Sequence, residues 1–251
     1  MKKLIVILLT ITAFAGVSFA GSQVFFANGA ANVKKVALTF DDGPGEITSE
    51  ILAILKEKGV KATFFMLGCN AVTYPNLAKA VADGGHEIGN HTYGHINFYS
   101  FTGVKTVSYY MPSINKDKSF EVRSSSFSYK TANRADILKD EILKSQDAIL
   151  AATGVKTVIM RYPYGYAKPD AIEMAQSLGY KVINWSFGCD WTKLTAEEMH
   201  AKYKAAIQPG AIFLMHDGSK SKKVPSFLGE LIDEIRAQGY DIVTVGELLD
   251  F

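Results

Sequence analysis

Short apolar strands alternate with longer helical segments along most of the chain, and this alternation restricts the fold more than any other feature. The pattern starts near Val33, where KVALTF indicates a strand and ITSEILAILKEKG a helix. Repeated strand–helix units form a mostly parallel sheet covered by helices. We therefore predict a distorted or incomplete (β/α) barrel of about seven units over residues 33–250. A dinucleotide-binding sheet is disfavoured because the chain has no Gly-x-Gly-x-x-Gly motif.

Residues 97–133 interrupt the alternation of strands and helices. The segment is rich in Ser, Thr and aromatic residues and alternates locally, with Phe120 and Val122 on a common face. This alternation predicts an inserted β-hairpin that turns around residues 115–118. The insertion could be a solvent-facing flap that packs on its own aromatic residues, or a lid or binding wall beside an active site.

The first 20 residues, MKKLIVILLTITAFAGVSFA, have the layout of a secretory signal peptide. Two lysines precede an apolar run, and small residues at Ser18 and Ala20 indicate cleavage after Ala20. An uncleaved membrane anchor is the alternative, although the apolar run is short for a bilayer span. No other stretch of the sequence is long and apolar enough to cross a membrane. We therefore expect no stable membrane span after cleavage, and a protein that is secreted or located in the periplasm or cell envelope.

Charge and cysteine content restrict the partners. The chain has 27 basic and 25 acidic side chains, and cleavage would remove Lys2 and Lys3, which leaves the charges balanced. Proteins that bind nucleic acid usually have a basic excess, so we expect no nucleic-acid partner. Cys69 and Cys189 lack metal-ligand spacing, and we expect two separate thiols, with a disulfide as the alternative. The sequence indicates no particular oligomeric state.

Polar side chains follow five of the predicted strands, at the point where each strand ends. In a (β/α) barrel the C-terminal ends of the strands meet at one face, and catalytic residues lie there. The sequence therefore predicts one active site that is built from these side chains: Asp41 and Asp42, His91 and His95, Arg161, Asp190 and Trp191, and His216 and Asp217.

His91 and His95 indicate a metal site. They are four residues apart, so both imidazoles would project from the same side of a helical turn, although Gly94 weakens the case for a helix. With one carboxylate from Asp41 or Asp42 they would form a His-His-Asp site with open positions, the pattern of a catalytic metal. Zinc suits these ligands, and cobalt or manganese would accept them too. The alternative is two unrelated polar residues in a loop.

A bound cation would also account for two adjacent aspartates. It would hold one carboxylate as a ligand and offset the repulsion from the second. The second carboxylate could then take a proton from an attacking water, and His216 could give one to a leaving group. The chemistry that these residues predict is metal-assisted hydrolysis of an acyl compound. The spacing alone does not decide which role belongs to Asp41 and which to Asp42.

Five ordered motifs resemble those of the polysaccharide deacetylase family (the NodB homology domain, carbohydrate esterase family 4). They are TFDDGP, HTYGH, RYPYG, CDW and LMH, and the resemblance spans about residues 33–250 apart from the insertion. Tyr162 stands where proline is commoner in the family, and Phe187 where the fourth motif often has an acid. The stretch after His95 also departs from the pattern and runs into the insertion. These departures bear on the choice of substrate rather than on the chemistry.

The resemblance assigns different roles to Asp41 and Asp42. It implies that Asp41 is the general base, and that Arg161 orients Asp41 and holds its charge. It further implies that Asp42, His91 and His95 are the metal ligands.

The resemblance also implies the remaining roles. The backbone N–H of Tyr164 would stabilise the oxyanion. His216 would be the general acid, paired with Asp190 so that its protonated form is favoured. Trp191 and Leu214 would wall the pocket that takes the acetyl methyl group.

The function that this resemblance implies is metal-dependent removal of N-acetyl groups from N-acetylglucosamine units of a glycan by an exported enzyme. Peptidoglycan is the first candidate substrate, and chitin-type oligosaccharides are the second. An acetylxylan O-esterase shares the same machinery and is the nearest chemical alternative. A non-catalytic glycan-binding domain is the alternative from a different class of protein.

Overall fold

The computed structural model describes residues 24–99, 107–114, 120–127, 133–218 and 222–251. In this part of the chain the strands are β1 (Phe25–Phe26), β2 (Lys35–Asp41), β3 (Thr63–Met66), β4 (Glu87–Asn90), β5 (Val107–Ile114), β6 (Phe120–Phe127), β7 (Ile159–Met160), β8 (Lys181–Ile183), β9 (Phe187–Gly188), β10 (Ile212–His216) and β11 (Asp241–Val243). The α-helices are α1 (Thr48–Glu57), α2 (Gly68–Thr73), α3 (Pro75–Asp83), α4 (Arg134–Thr153), α5 (Pro169–Ser177), α6 (Ala196–Ala205), α7 (Val224–Ala237) and α8 (Val245–Leu249).

Local sequence sets several helix boundaries. The Asn133 side chain accepts a hydrogen bond from the N–H of Ala135 and starts α4, and Gly154 in the left-handed region (φ 75°) ends it. Thr195 and Thr244 each form a capping box with the glutamate three residues later, at the starts of α6 and α8. These signals fix where helices begin and end, and therefore how long the connections to the strand ends are.

Nine of the described strands form one parallel sheet that curves into a half-barrel. Its order is β1-β8-β7-β4-β3-β2-β10-β9, and β11 pairs with the start of β2. Among the described residues, β1 and β9 do not pair with each other, so the barrel is incomplete. This confirms the predicted fold class. The sheet also includes β1, which precedes the residue 33 at which the sequence pattern begins.

The local pattern of KVINWSF (residues 181–187) predicts one continuous strand, and this prediction is wrong. The segment divides into β8, which pairs with β7 and β1, and the start of β9, which pairs with β10. Residues 184–186 cross the gap between the two ends of the sheet, and the N–H of Ser186 donates to the carbonyl of Ile212 (3.0 Å). The division follows from the change of pairing partner, which no local pattern in these seven residues encodes.

The alternation of side chains along β2 connects the core to the site. Val36, Leu38 and Phe40 pack in the large cluster beneath the outer helices. Side chains of successive strand residues point to opposite faces, so residues 37, 39 and 41 point to the other face. Ala37 packs with the cluster inside the barrel. Asp41, the last residue of β2, therefore points into the barrel at the end where the strands terminate.

The insertion contains the predicted hairpin. β5 and β6 are antiparallel, with register from Val107 opposite Phe127 to Ile114 opposite Phe120. Its turn, and any role as a lid or wall, lie outside the described residues. The predicted signal peptide over residues 1–20 also lies outside them and stays a prediction. No helix in the described part of the chain has the length and apolar character that a membrane span needs.

Candidate active site

A cavity of about 350 Å3 opens where the parallel strands end. Arg161 and Asp190 lie behind its surface and bond to residues that line it. Trp185 was not predicted and lines the cavity as well. The lining residues are Asp41, Asp42, His91, His95, Tyr164, Trp185, Trp191, Leu214 and His216. The sequence-predicted residues therefore lie together at one site.

Asp42, His91 and His95 form a cluster that fits a metal ion. Asp42 Oδ1 lies 3.3 Å from His91 Nε2 and 3.1 Å from His95 Nε2. One ligand atom from each residue lies within 4.8 Å of the others. Asp42 Oδ1 is buried and has no hydrogen-bond partner among the described residues. Burial raises the pKa of Asp42, but the adjacent imidazoles of His95 and His91 hold it well below its usual 3.8.

The tautomer of His91 suits a ligand. His91 Nδ1 lies 2.7 Å from the carbonyl oxygen of Arg161, so Nδ1 carries the hydrogen and donates it. The lone pair of Nε2 is then free to face Asp42. Ligating histidines in proteins are usually held by a hydrogen bond of this kind from their other ring nitrogen.

His91 and His95 do not lie on a helix, so the predicted helical turn is wrong. Residues 91–95, here called the histidine loop, follow β4 without helical structure. Thr92 and His95 adopt the left-handed region, with φ of 68° and 55°. These two reversals fold the backbone so that the imidazoles meet, with ring centroids 5.2 Å apart. The two imidazoles do converge, as the four-residue spacing predicted, but the cause is the loop conformation and not a helical turn.

Unfavourable backbone conformations concentrate at this site. Five described non-glycine residues have positive φ, and Asp42 (69°), Thr92, His95 and Tyr164 (59°) are four of them. Such conformations typically cost about 1–3 kcal/mol each and persist where the surrounding structure holds them. These conformations therefore lower the stability of the fold, and the surrounding structure holds the residues in orientations that the site needs.

Arg161 holds Asp41 inside the barrel. Its Nη1 donates to Asp41 Oδ1 (2.7 Å) and to Thr39 Oγ1 (2.8 Å). Its Nε and Nη2 donate to the carbonyls of Ile183 (3.0 Å) and Asn184 (2.9 Å). Arg161 is fully buried, and Asp41 is 2% exposed. The second carboxylate oxygen of Asp41 lies 3.7 Å from His91 Nε2 and faces the cavity.

Asp190 holds His216 at the end of β10, the strand next to β2. Asp190 Oδ1 lies 2.9 Å from His216 Nδ1, and its Oδ2 accepts from the backbone N–H of His216 (2.9 Å). Burial lowers the pKa of His216, but the hydrogen bond and charge of Asp190 raise it to about 9. The protonated imidazole is therefore the stable form near neutral pH, with Nε2 available as a donor.

Aromatic rings form the outer wall of the cavity. The Trp191 ring lies edge-on to His216 with centroids 5.7 Å apart, and it contacts Trp185 at 6.5 Å. Tyr164 packs on His95 at 4.8 Å. Trp191 and Tyr164 remain 52% and 55% exposed, so they can contact a ligand. Sequence reasoning missed Trp185, because a tryptophan in an apolar strand gave no sign that the strand breaks there.

Asp217 is a buried acid that sequence reasoning assigned no role. Its Oδ2 accepts from Thr48 Oγ1 (2.6 Å), and its N–H donates to the carbonyl of Asp41 (3.0 Å). A Cβ on Gly43 would lie 2.1 Å from this carboxyl group, so Gly43 must lack a side chain. Burial is the main reason why the pKa of Asp217 rises to about 7; the hydrogen bond from Thr48 lowers it, and the charges of Asp42 and Asp41 raise it further.

Phe187 lies away from the cavity. Its ring packs edge-on against Tyr203 at 5.1 Å and Phe213 at 6.2 Å in the core. The acid that the fourth motif often has is thus replaced here by a core residue, and the described cavity wall is formed without it.

The fold and the site together define a class. An incomplete parallel barrel with a His-His-Asp cluster, an arginine-held carboxylate and a carboxylate-held imidazole suits hydrolytic chemistry on an acyl group. The chain belongs to the polysaccharide deacetylase family, whose profile it matches over residues 28–183. The motifs CDW and LMH follow this range.

Individual relatives extend the match beyond residue 183. The chain is 33% identical over 217 residues to the peptidoglycan-N-acetylglucosamine deacetylase PgdA of Listeria monocytogenes, which covers 86% of this chain and 39% of that protein. The crystal structure of the Bc1960 peptidoglycan N-acetylglucosamine deacetylase superposes with a TM-score of 0.74 at 28% identity, over 91% of this chain and 94% of that one. BA3943 of Bacillus anthracis, a pseudoenzyme of carbohydrate esterase family 4, superposes with a TM-score of 0.73 at 28% identity, over 91% and 70%.

Proposed function

We propose that this protein is a metal-dependent deacetylase that removes N-acetyl groups from N-acetylglucosamine residues of a glycan, with peptidoglycan as the substrate. The observation that carries the proposal is the convergence of His91 and His95 on the buried Oδ1 of Asp42. Asp41 and His216, two further groups that can transfer protons, line the same cavity.

A divalent cation held by Asp42, His91 and His95 would polarise the acetyl carbonyl and lower the pKa of a water molecule. Zinc suits these ligands, and cobalt or manganese would also be accepted. Asp41 is the general base in this proposal. Arg161 orients its carboxylate through Oδ1 and leaves Oδ2 toward the cavity, where it takes the proton of the attacking water.

The remaining roles concern the leaving group and the pocket. His216, kept protonated by Asp190, donates a proton to the departing amine nitrogen. The backbone N–H of Tyr164 stabilises the developing oxyanion. Trp191 and Leu214 confine the acetyl methyl group. Each step uses a group that lies in or directly behind one cavity.

Two of the compared proteins support peptidoglycan as the substrate. The Listeria relative and the Bc1960 protein are both named as peptidoglycan N-acetylglucosamine deacetylases. The chain spans about two fifths of the length of the Listeria protein, 39%. The predicted signal peptide over residues 1–20 is consistent with a cell-wall substrate, and we propose that the protein acts outside the cytoplasm.

A binding protein without catalysis is the second candidate. BA3943 has the same fold and is named a pseudoenzyme, so the fold by itself does not imply turnover. In this chain the base, the acid and the three ligands are all present in the cavity, and this favours an enzyme.

Acetate release tests the proposal. The purified protein would be incubated, with and without a chelator, with N-acetylglucosamine oligomers, peptidoglycan and acetylated xylan. We expect chelator-sensitive release from peptidoglycan. Release from the oligomers alone would identify a chitin-type substrate, and release from xylan alone would identify an O-esterase. Glycan binding without release from any substrate would favour the pseudoenzyme.

A further inference from the structure

Backbone hydrogen bonds hold the first half of the histidine loop. The N–H of Thr92 donates to the side chain of the buried Asn90 (2.8 Å), and the carbonyl of Thr92 accepts from the N–H of Gly68 (3.0 Å). The carbonyl of Tyr93 accepts from the N–H of Cys69 (3.1 Å). These neutral contacts tie the loop to the end of β4 and the start of α2.

The side-chain carboxyl group of Glu141 holds the second half. The N–H of Gly94 donates a short hydrogen bond to Glu141 Oε2 (2.7 Å). Glu141 lies on α4 and is fully buried beside Leu138 and Ile142 on the same helix face. Burial of a carboxylate destabilises a fold unless the group is hydrogen-bonded. An apolar residue at this position would pack on the helix face without the free-energy cost of burying a carboxyl group, but it could not accept the hydrogen bond from Gly94. The contact of Glu141 with the loop that carries two candidate ligands therefore points to a role beyond packing.

Gly94 directly precedes His95, whose backbone is left-handed (φ 55°) and whose Nε2 lies 3.1 Å from Asp42 Oδ1. We propose that Glu141 is a positioning residue: by holding the Gly94 N–H, it fixes the peptide that orients His95 and so sets the affinity of the site for its metal. The inference rests on the proposed function only in that the site binds a divalent cation. Sequence patterns gave no sign of it, because Glu141 lies 47 residues from Gly94.

Zinc affinity of the folded protein tests this role. The dissociation constant for Zn2+ would be measured by competition with a chromophoric chelator for wild type, E141M and E141Q. Loss of an outer-shell partner typically lowers metal affinity about 10- to 100-fold, and we expect this for E141M. E141Q keeps a neutral acceptor for Gly94, so we expect a smaller loss of about 3- to 10-fold.

Ser145 provides the matched control. It lies one turn further along α4, is fully buried, and its hydroxyl has no hydrogen-bond partner among the described residues. S145A should therefore bind Zn2+ like wild type. The visible spectrum of the Co2+-loaded protein gives a second readout, because it reports the geometry of the ligands; we expect it to change in E141M and to return toward wild type in E141Q.

Several results would overturn the proposal. Wild-type Zn2+ affinity in folded E141M would show that Glu141 serves stability only, and if E141M does not fold, unchanged affinity in E141Q would show the same. Absence of Zn2+ binding by wild type would also overturn it. Failure of the proposed function gives a different result. Wild type would then bind Zn2+ but release no acetate, and Zn2+ affinity would still decrease from wild type to E141Q to E141M.

Discussion

Arg161 Nη1 lies 2.7 Å from Asp41 Oδ1, and both side chains are buried at the end of the barrel. The pair joins β2 to the residue that follows β7, across 120 positions of sequence. Among the described residues, the guanidinium donates to Asp41 and Thr39 of β2 and to the carbonyls of Ile183 and Asn184. The pair therefore fixes the carboxylate that we propose as the base and also links strands that are not neighbours in the sheet.

Removal of this arginine should destabilise the fold. We expect R161M to lower the free energy of unfolding by about 3–5 kcal/mol, because Asp41 remains buried without its partner. Urea unfolding followed by circular dichroism measures the change. In the double variant R161M/D41N the loss should be smaller than the sum of the two single losses by at least about 1 kcal/mol. Additive losses would contradict the coupling.

The two adjacent aspartates should differ in their effect on metal binding. D41N should retain Zn2+ and lose about 100- to 10,000-fold in acetate release, because only the proposed base is removed. D42N should lose Zn2+, since its buried Oδ1 is the proposed ligand. Metal content by mass spectrometry and acetate assays on both variants provide the comparison. Loss of metal in D41N with retention in D42N would reverse the assignment.

The alkaline limit of activity should depend on Asp190. Burial lowers the pKa of His216, but the hydrogen bond and charge of Asp190, together with the charges of Asp42 and Asp41, raise it to about 9. The protonated form is the proposed acid, so kcat/KM should fall as the pH rises through about 9. In D190N the falling limb should move to lower pH by about 1–2 units. An identical pH profile for D190N and wild type would argue against His216 as the acid.

Asp217 should make the fold less stable at alkaline pH. Its pKa is raised from 3.8 to about 7, so the folded state binds the proton more tightly than the unfolded state does. The stability that this proton provides is complete below about pH 4 and is lost as the pH rises through about 7.

The variant D217N tests this loss, because an amide oxygen can still accept from Thr48 and does not ionise. Between pH 5 and pH 8 we expect wild type without metal to lose on the order of 1–3 kcal/mol more stability than D217N. Urea unfolding at the two pH values, in the presence of a chelator, measures it. A parallel pH dependence in both proteins would show that Asp217 does not titrate in this range.

Much of this molecule follows from local sequence. The strand–helix alternation determined the barrel class, because side-chain periodicity depends only on residues a few positions apart. The same periodicity placed Asp41, His91, Arg161, Asp190 and His216 at strand ends, which are at one face in any parallel barrel. The hairpin of β5 and β6 followed from its own alternation, and Cys69 and Cys189 are separate buried thiols as expected.

Only the tertiary structure decided how these groups are oriented. Asp41 ends β2 on the interior face and bonds to Arg161, whereas Asp42 is left-handed beyond the strand and lies between two imidazoles. The break between β8 and β9 and the bond from Gly94 to Glu141 likewise depend on partners distant in the sequence. Periodicity indicates which face a side chain takes, but strand pairing and buried charge determine its partner. That information is spread over residues far apart in the sequence, as in the hydrogen bond between Val245 and Thr63, which are 182 positions apart.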